Sequence, residues 1–364
     1  MGDHGAVSDR EQHVLGLIEN VRSRRAKFRD PHITMAHGAG GKATQALIEG
    51  LFVPAFGGET LSQMGDAGEL VVDGVGLAFT TDSYVVTPLR FPGGSIGELA
   101  VNGTANDLAM AGARPQAMTL ALILEEGLAA DDLRAEVEAI AEAARVAGVE
   151  IVAGDTKVVE RGHADGMYVC TTGIGLRDPR AALSPSALRP GDRIILSGPI
   201  GEHGTAIMLA RNEFELDASI ESDTRSLWPA VDSLLGAVGP ELRSMRDATR
   251  GGVASVLNEL ARASSVAMIV RESAVPVHPA VAGAAEILGI DPMYVANEGK
   301  LVAFVAPEAA DAALAALRRV PGCEEAAEIG EVRTEPPGMV LVETSFGGRR
   351  VMDQLVGDPL PRIC

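Results

Sequence analysis

Residues 131–155 read DDLRAEVEAIAEAARVAGVEIVAGD, and their pattern changes period partway along. Leu133, Val137, Ile140 and Ala144 recur at helical spacing and form one apolar stripe. Asp131 stands where a cap belongs, and Gly148 where a helix stops. Val149-Glu150-Ile151-Val152 then reads as a short strand, and Asp155 follows in Gly154-Asp155-Thr156-Lys157. A helix feeding a strand that ends on a polar, glycine-flanked carboxylate is the signature of an α/β protein, in which ligands gather at strand ends. Asp82, in Thr80-Thr81-Asp82-Ser83, repeats the pattern.

Working outward, residues 33–176 alternate strand-like and helix-like runs, with a further strand expected over 168–174. A proline-rich stretch, 179–190, reads as a linker. Beyond it, a strand over 193–196 leads through a glycine-punctuated turn to a helix around 206–210. A helix over 250–262 carries Val253, Val256, Leu257 and Leu260 on one face, and strands are expected over 301–305 and 339–343. The fold class is therefore α/β (α+β) with two domains, 31–178 and 190–345. They are flanked by a charged N-terminal extension, 1–30, and a mobile tail, 346–364. Within the extension, Val14, Leu17, Ile18 and Val21 suggest a loosely docked helix.

Bulk properties narrow the function. The 364 residues are 46% hydrophobic and only 3% aromatic, so the cores must be aliphatic. A net charge of -19 argues against nucleic acid as a partner, because phosphate contacts need a basic face. The same acidity suits carboxylate sites for Mg²⁺. No apolar run reaches the roughly 18 residues that span a bilayer, the N-terminus lacks a signal-peptide core, and three scattered cysteines suit a reducing compartment. A cytoplasmic protein with no membrane association is expected.

Four aspartates, Asp82, Asp107, Asp155 and Asp247, sit in short polar or glycine-flanked settings. Carboxylates converging at strand ends need a hard cation to offset their repulsion. Two glycine-rich turns, His37-Gly38-Ala39-Gly40-Gly41-Lys42 and Arg250-Gly251-Gly252, open helices and offer N–H groups to phosphate. Neither is a Walker A loop, which would need glycine at Ala36 and a hydroxyl at Ala43. Lys157 and Glu298, the latter in Asn297-Glu298-Gly299-Lys300, complete the polar set. Taken singly, each of these residues also fits an ordinary turn, cap or surface role.

The sequence ends Leu360-Pro361-Arg362-Ile363-Cys364. A terminal thiol has no chain beyond it to pack. From Gly348 it has a tether that could reach roughly 50–55 Å when fully stretched. Such a sulfur can be loaded at one site and processed at another. Cys170 reads as a core residue and Cys323 as a loop residue, and no C-x-x-C pair suggests a metal.

Together these motifs resemble the HypE carbamoyl dehydratases, hydrogenase maturation proteins of the aminoimidazole ribonucleotide synthetase superfamily. The likeness runs from about Ile33 to Cys364. It rests on Thr80-Thr81-Asp82-Ser83-Tyr84-Val85-Val86, on Val101-Asn102-Gly103-Thr104 with Asn106-Asp107-Leu108-Ala109-Met110, on residues 151–159 and 246–252, and on Val295 to Lys300. The final Pro-Arg-Ile-Cys is its most specific element. The chain departs from the family at Ala39, usually Ser, and at Ala248, usually Pro. The resemblance implies that a carbamoyltransferase (HypF) loads Cys364 with a carbamoyl group and that ATP phosphorylates the amide oxygen. Loss of phosphate then leaves a thiocyanate, passed as cyanide to iron on a HypC–HypD scaffold for nickel–iron hydrogenase. It implies ATP held by His37, Gly40, Gly41, Asn106, Thr249, Gly251 and Gly252, and Mg²⁺ held by Asp82, Asp107, Asp155 and Asp247. Glu298 and Lys157 would remove the proton and stabilise the oxyanion, respectively, in a homodimer. A related kinase, such as a thiamine monophosphate kinase or selenophosphate synthetase, is the nearest alternative. A non-catalytic adaptor is another.

Overall fold

The computed structural model describes residues 28–58, 61, 64–211, 219–355 and 363–364. The expected helix within the extension and residues 356–362 of the tail lie outside them. The opening stretch folds as read: a helix spans Ala130–Ala147 and stops at Gly148, whose φ of 69° is left-handed. Two details differ. The cap is Ala129, and Asp131 and Asp132 sit in the first turn, where the helix dipole favours their charge. The stripe is also rotated. Val137 is 46% exposed, while Glu136 is buried, bound by Arg90 Nε at 2.8 Å and by the Gly97 N–H at 3.0 Å.

The first sheet comprises β1 (Gly68–Val72), β2 (Val75–Tyr84), β5 (Ala113–Glu125), β6 (Glu150–Val159) and β7 (Met167–Arg177) in the order β1-β2-β7-β5-β6. A two-stranded ribbon, β3 (Arg90–Phe91) with β4 (Gly94–Ser95), precedes the long helix Ile96–Met110. Neither Asp82 nor Asp155 ends its strand, and parity separates them. Asp82 pairs with Thr171, which pairs with Leu120, while Asp155 pairs with Ala121, which pairs with Cys170. Adjacent rows point to opposite faces. The Asp82 face packs against helix Ile96–Met110, with Tyr84, Val169, Leu99 and Ala100 in one core. The opposite face is open among the described residues: Leu70, Val72, Val75, Phe79 and Leu176 are each more than a third exposed.

The second sheet runs β14-β13-β10-β12-β8-β11-β9. Its strands are β8 (Arg193–Leu196), β9 (Leu242–Asp247), β10 (Ala267–Arg271), β11 (Leu301–Val305), β12 (Ala327–Arg333), β13 (Val340–Glu343) and β14 (Arg349–Met352). Helices cover both faces. Gly252–Ala263 packs on Ile194, Leu196, Val302 and Phe304, while Trp228–Val238 and Ala310–Leu317 pack on Ile195, Ala303 and Val305. Burial on both faces makes β8 and β11 continuous apolar runs, which is why their sequences stand out.

Helix Ile96–Met110 joins the halves and is buried on almost every side. Ala109 and Met110 enter the second sheet's core. Asn106 donates to the carbonyls of Arg225 (2.9 Å) and Glu298 (3.3 Å) and accepts the Leu227 N–H (2.7 Å).

The expected tail starts too early. Residues 349–352 are β14, an edge strand paired with β13, because Met352 is needed in the core beneath it. Body contacts continue to Leu355, whose carbonyl accepts the Lys42 N–H at 3.0 Å, while Asp353 pairs with Lys42 Nζ at 2.8 Å. The nine residues 356–364 can therefore reach only about 30 Å.

Candidate active site

A cleft of about 950 Å³ opens where the two halves meet, and Cys364 lies in its wall. Three contacts hold the tail end there. His203 Nε2 lies 2.7 Å from the Ile363 carbonyl, the Val85 N–H donates to the Cys364 carbonyl at 3.2 Å, and Arg250 Nε donates to Cys364 Sγ at 3.3 Å. Ile363 is buried in the core beside Tyr84 and Leu99. Its apolar side chain stabilises the docked state by about 2 kcal/mol. Cys364 holds the Arg250 guanidinium above its ordinary pKa against the opposing cost of burial.

Facing the sulfur is a cluster of acids. Carboxylate oxygens of Asp66, Asp107 and Asp247 lie within 4.8 Å of one another. Each comes from a different element: the loop before β1, the helix Ile96–Met110 and the last residue of β9. Asp82 enters from β2, accepting from Thr104 Oγ1 at 3.0 Å, and Thr80 Oγ1 donates to Asp107 at 2.8 Å. Burial first, then neighbouring carboxylates, pushes Asp107 and Asp247 well above the usual carboxylate range. Asp66 is also raised by burial, with Arg246 pulling against it. Arg246 clamps the cluster's rim, binding Asp66 (2.6 Å), Glu259 (2.8 Å) and the Met64 carbonyl (2.8 Å). Closely spaced oxygens short of countercharge are a donor set for a hard divalent cation.

Glu298 also lines the cleft and is only 3% exposed. Its backbone is fixed by Asp223, which accepts the Glu298 N–H (3.0 Å), and by Asn106 on its carbonyl. Burial chiefly, with Asp247 and Asp223 adding repulsion and Arg250 opposing, raises its pKa well above 4.5.

The glycine turns work differently from the expectation of an open N–H cradle. Gly40 N–H is taken by Thr44 Oγ1 (3.0 Å), Lys42 N–H by Leu355 and Gly252 N–H by Thr249 (2.8 Å). What glycine supplies is close approach. A Cβ on Gly40 would lie 2.7 Å from Arg250 Cβ, and one on Gly252 would lie 2.6 Å from two carbonyls, Met293 and Val295. The turns thus press together and aim Arg250 at the sulfur. Gly40, Gly41 and Thr249 do line the cleft.

Of the expected metal ligands, Asp82, Asp107 and Asp247 converge, whereas Asp155 does not. Asp155 and Lys157 are exposed on the sheet's open face, across the strands from Asp82. His37 does not line the cleft either. It is buried, caps its own turn through Thr34 and meets Asp30 at 3.0 Å. Asn106 supports Glu298 from behind, and Gly251 caps the helix Gly252–Ala263. Sequence reasoning missed Asp66, Arg246, Arg250 and Tyr84. Asp66, in Gly65-Asp66-Ala67-Gly68, had the same glycine-flanked setting as the others.

The chain's comparisons with known proteins agree with this geometry. Residues 64–177 match the family described as AIR synthase related protein, N-terminal domain, and residues 189–342 match its C-terminal domain. The carbamoyl dehydratase HypE of Bradyrhizobium diazoefficiens is 48% identical over 94% of this chain and 99% of its own length. That of Escherichia coli is 44% identical over 92% and 99%. Among solved structures, HypE in complex with HypF superposes with a TM-score of 0.81 at 43% identity, covering 85% of this chain and 100% of that one. HypE with ATP gives 0.77 at 45% identity, covering 92% and 100%. A thiamine monophosphate kinase of Aquifex aeolicus, 18% identical with a TM-score of 0.61 over 84% and 96%, shares the fold alone. The chain belongs to the HypE carbamoyl dehydratase family of the AIR synthase related proteins.

Proposed function

We propose that this carbamoyl dehydratase converts a carboxamide carried on its own Cys364 into a thiocyanate, using ATP, for nickel–iron hydrogenase maturation. The observation that carries the reading is the Cys364 sulfur, held by Arg250 in a cleft that also contains Asp66, Asp82, Asp107, Asp247 and Glu298. In the overall reaction the amide oxygen takes the phosphoryl group and ADP leaves. The nitrogen gives up both protons, and the carbon–oxygen bond breaks with its electron pair departing on phosphate. The product is S–C≡N.

Glu298 is the proton acceptor, since its burial makes it more basic than an ordinary carboxylate. Arg250, already at the sulfur, fixes the carboxamide's orientation and adds positive charge beside the reacting carbon. Asp66, Asp107 and Asp247, with Asp82 adjoining, would hold Mg²⁺, which supplies charge neutralisation to phosphoryl oxygens. Gly40, Gly41, Thr44 and Thr249 form the wall on which ATP would rest. The ATP-bound HypE and the HypE–HypF complex support nucleotide and HypF as ligands of this chain too. Delivery to a HypC–HypD scaffold in the cytoplasm completes the reading. A second copy packed on the open sheet face would carry Asp155 and Lys157 toward a neighbouring cleft, giving Lys157 an oxyanion-stabilising role there.

Mass spectrometry of the C-terminal peptide tests this. With carbamoyltransferase, carbamoyl phosphate and ATP, Cys364 should gain a carbamoyl group and then lose one water. Glu298→Gln should retain the carbamoyl and lose the second step by about 100-fold or more. Dehydration at an undiminished rate in that variant would remove Glu298 from its role.

A further inference from the structure

His203, second residue of the helix Glu202–Ala210, is fully buried, and its ring is held on three sides. Nε2 lies 2.7 Å from the Ile363 carbonyl, Nδ1 lies 2.8 Å from Ser222 Oγ, and Phe91 meets the ring edge-on at 5.6 Å. A carbonyl can only accept, so Nε2 carries the proton. In a neutral imidazole, Nδ1 must then accept, and Ser222 must donate. The serine is itself fixed. Its oxygen receives the Thr224 N–H at 3.2 Å, and its own N–H donates to the Pro92 carbonyl at 2.8 Å. Burial lowers the ring's pKa, outweighing the pull of Asp223 and of the bond to Ile363, so the ring stays neutral. The hydrogen bond from Nε2 reaches across to the tail, 160 residues away.

We propose that His203, oriented by Ser222, is the latch that holds the tail end in the cleft, and so is a positioning residue for the reaction on Cys364. It rests on the reading of Cys364 as carrier. The latch grips the backbone carbonyl of Ile363, one residue before the sulfur. It therefore makes no demand on the sulfur itself, which meets Arg250 and faces the acids. The Val85 N–H on the Cys364 carbonyl gives a second grip, and Ile363 fills the core between them. Because both grips are on the backbone, they hold the thiol, the carboxamide and the thiocyanate forms alike. Release requires the buried Nε2–H to lose its partner whenever the arm swings out.

The test is the rate at which iodoacetamide alkylates Cys364 in the full-length protein, read by peptide mass spectrometry. Cys323, which is 1% exposed, serves as an internal reference for the fold. His203→Ala should speed Cys364 alkylation several-fold while Cys323 stays protected. Ser222→Ala should do the same without touching the tail, because the ring is then released to its other tautomer. His203→Gln, whose amide N–H can reach the same carbonyl, should restore protection. Wild-type Cys364 rates in both His203→Ala and Ser222→Ala overturn the latch. Should His203→Ala fail to fold, Ser222→Ala against wild type decides alone. Dehydration of preloaded, carbamoylated protein separates the two ideas. Released tails that still dehydrate at the wild-type rate support the latch but count against chemistry in this cleft. Unmoved alkylation with normal dehydration defeats the latch only.

Discussion

Asp66, Asp82, Asp107, Asp247 and Glu298 face one cleft whose lining also carries the guanidinium groups of Arg246, Arg250 and Arg262. Burial makes the folded chain hold protons on Asp107, Asp247 and Glu298 that the unfolded chain releases. Asp107, Asp247 and Glu298 all have raised pKa values in the fold. The sign follows directly. Below the ordinary values of 3.8 and 4.5 both states are protonated and the fold has its full stability. As pH rises toward and through the raised values, that stability is lost. The ligand-free protein should thus melt at progressively lower temperature as pH rises above the ordinary carboxylate values of 3.8 and 4.5. Mg²⁺ at 100 times its dissociation constant should restore about 2.7 kcal/mol, most visibly at the alkaline end. Asp107→Asn should flatten the pH slope and lose most of the Mg²⁺ shift. A melting temperature indifferent to both would remove the metal from the cluster. The aspartates were legible in the sequence because short, glycine-flanked polar settings stand out from apolar strands. Asp155 has the same setting yet points away from the cleft, since its row of the sheet and that of Asp82 face opposite ways. Parity of that kind depends on strand pairing, which single-strand patterns do not encode.

Elements were legible wherever one period dominates. The helix Ala130–Ala147, the helix Gly252–Ala263 and strands β8 and β11 fall within a few residues of expectation. Helix Ile96–Met110 was harder because burial on all sides erases its amphipathic stripe. β14 is hard to tell from tail in the sequence, because glycines precede it and its pairing partner lies across a turn. The glycine turns were found, but their purpose was not. Close approach of one backbone to another leaves no trace in either segment alone. Gly252, with a φ of 61° and two carbonyls 2.6 Å from a hypothetical Cβ, is the position that tests this. Gly252→Ala should cost about 2 kcal/mol or more, from left-handed backbone and forced displacement of the loop carrying Met293 and Val295. Thermal denaturation should show a fall of a few degrees. Dehydration should fall further than stability does, because the same turn aims Arg250. A variant as stable and active as wild type would make the close approach incidental.

At the scale of the molecule, two separated features need each other. The cleft holds the aspartates, Glu298 and the sulfur. The open face of the first sheet holds Asp155 and Lys157 on the edge strand β6 and exposed Leu70, Val72, Val75, Phe79 and Leu176 on β1, β2 and β7. Antiparallel sheets tolerate one solvated face when it is polar, but aliphatic rows like Leu77 paired with Leu176 are suited to a partner surface. On the proposed reading, a second copy of this chain would cover the face and make it continuous with the chemistry. A stable pair would bury about 800 Å² from each copy. The full-length protein should accordingly run as a dimer in size-exclusion chromatography with light scattering. Phe79→Asp combined with Leu176→Asp places charge in the middle of the apolar rows and should give folded monomer. If Lys157 acts across the interface, the monomer should keep its carbamoyl group and lose dehydration. Mixing it with a dimer-competent Cys364→Ala chain would not restore the reaction, because the altered face excludes pairing. A wild-type monomer that dehydrates its own tail at full rate would confine the chemistry to one chain and return Asp155 and Lys157 to the surface.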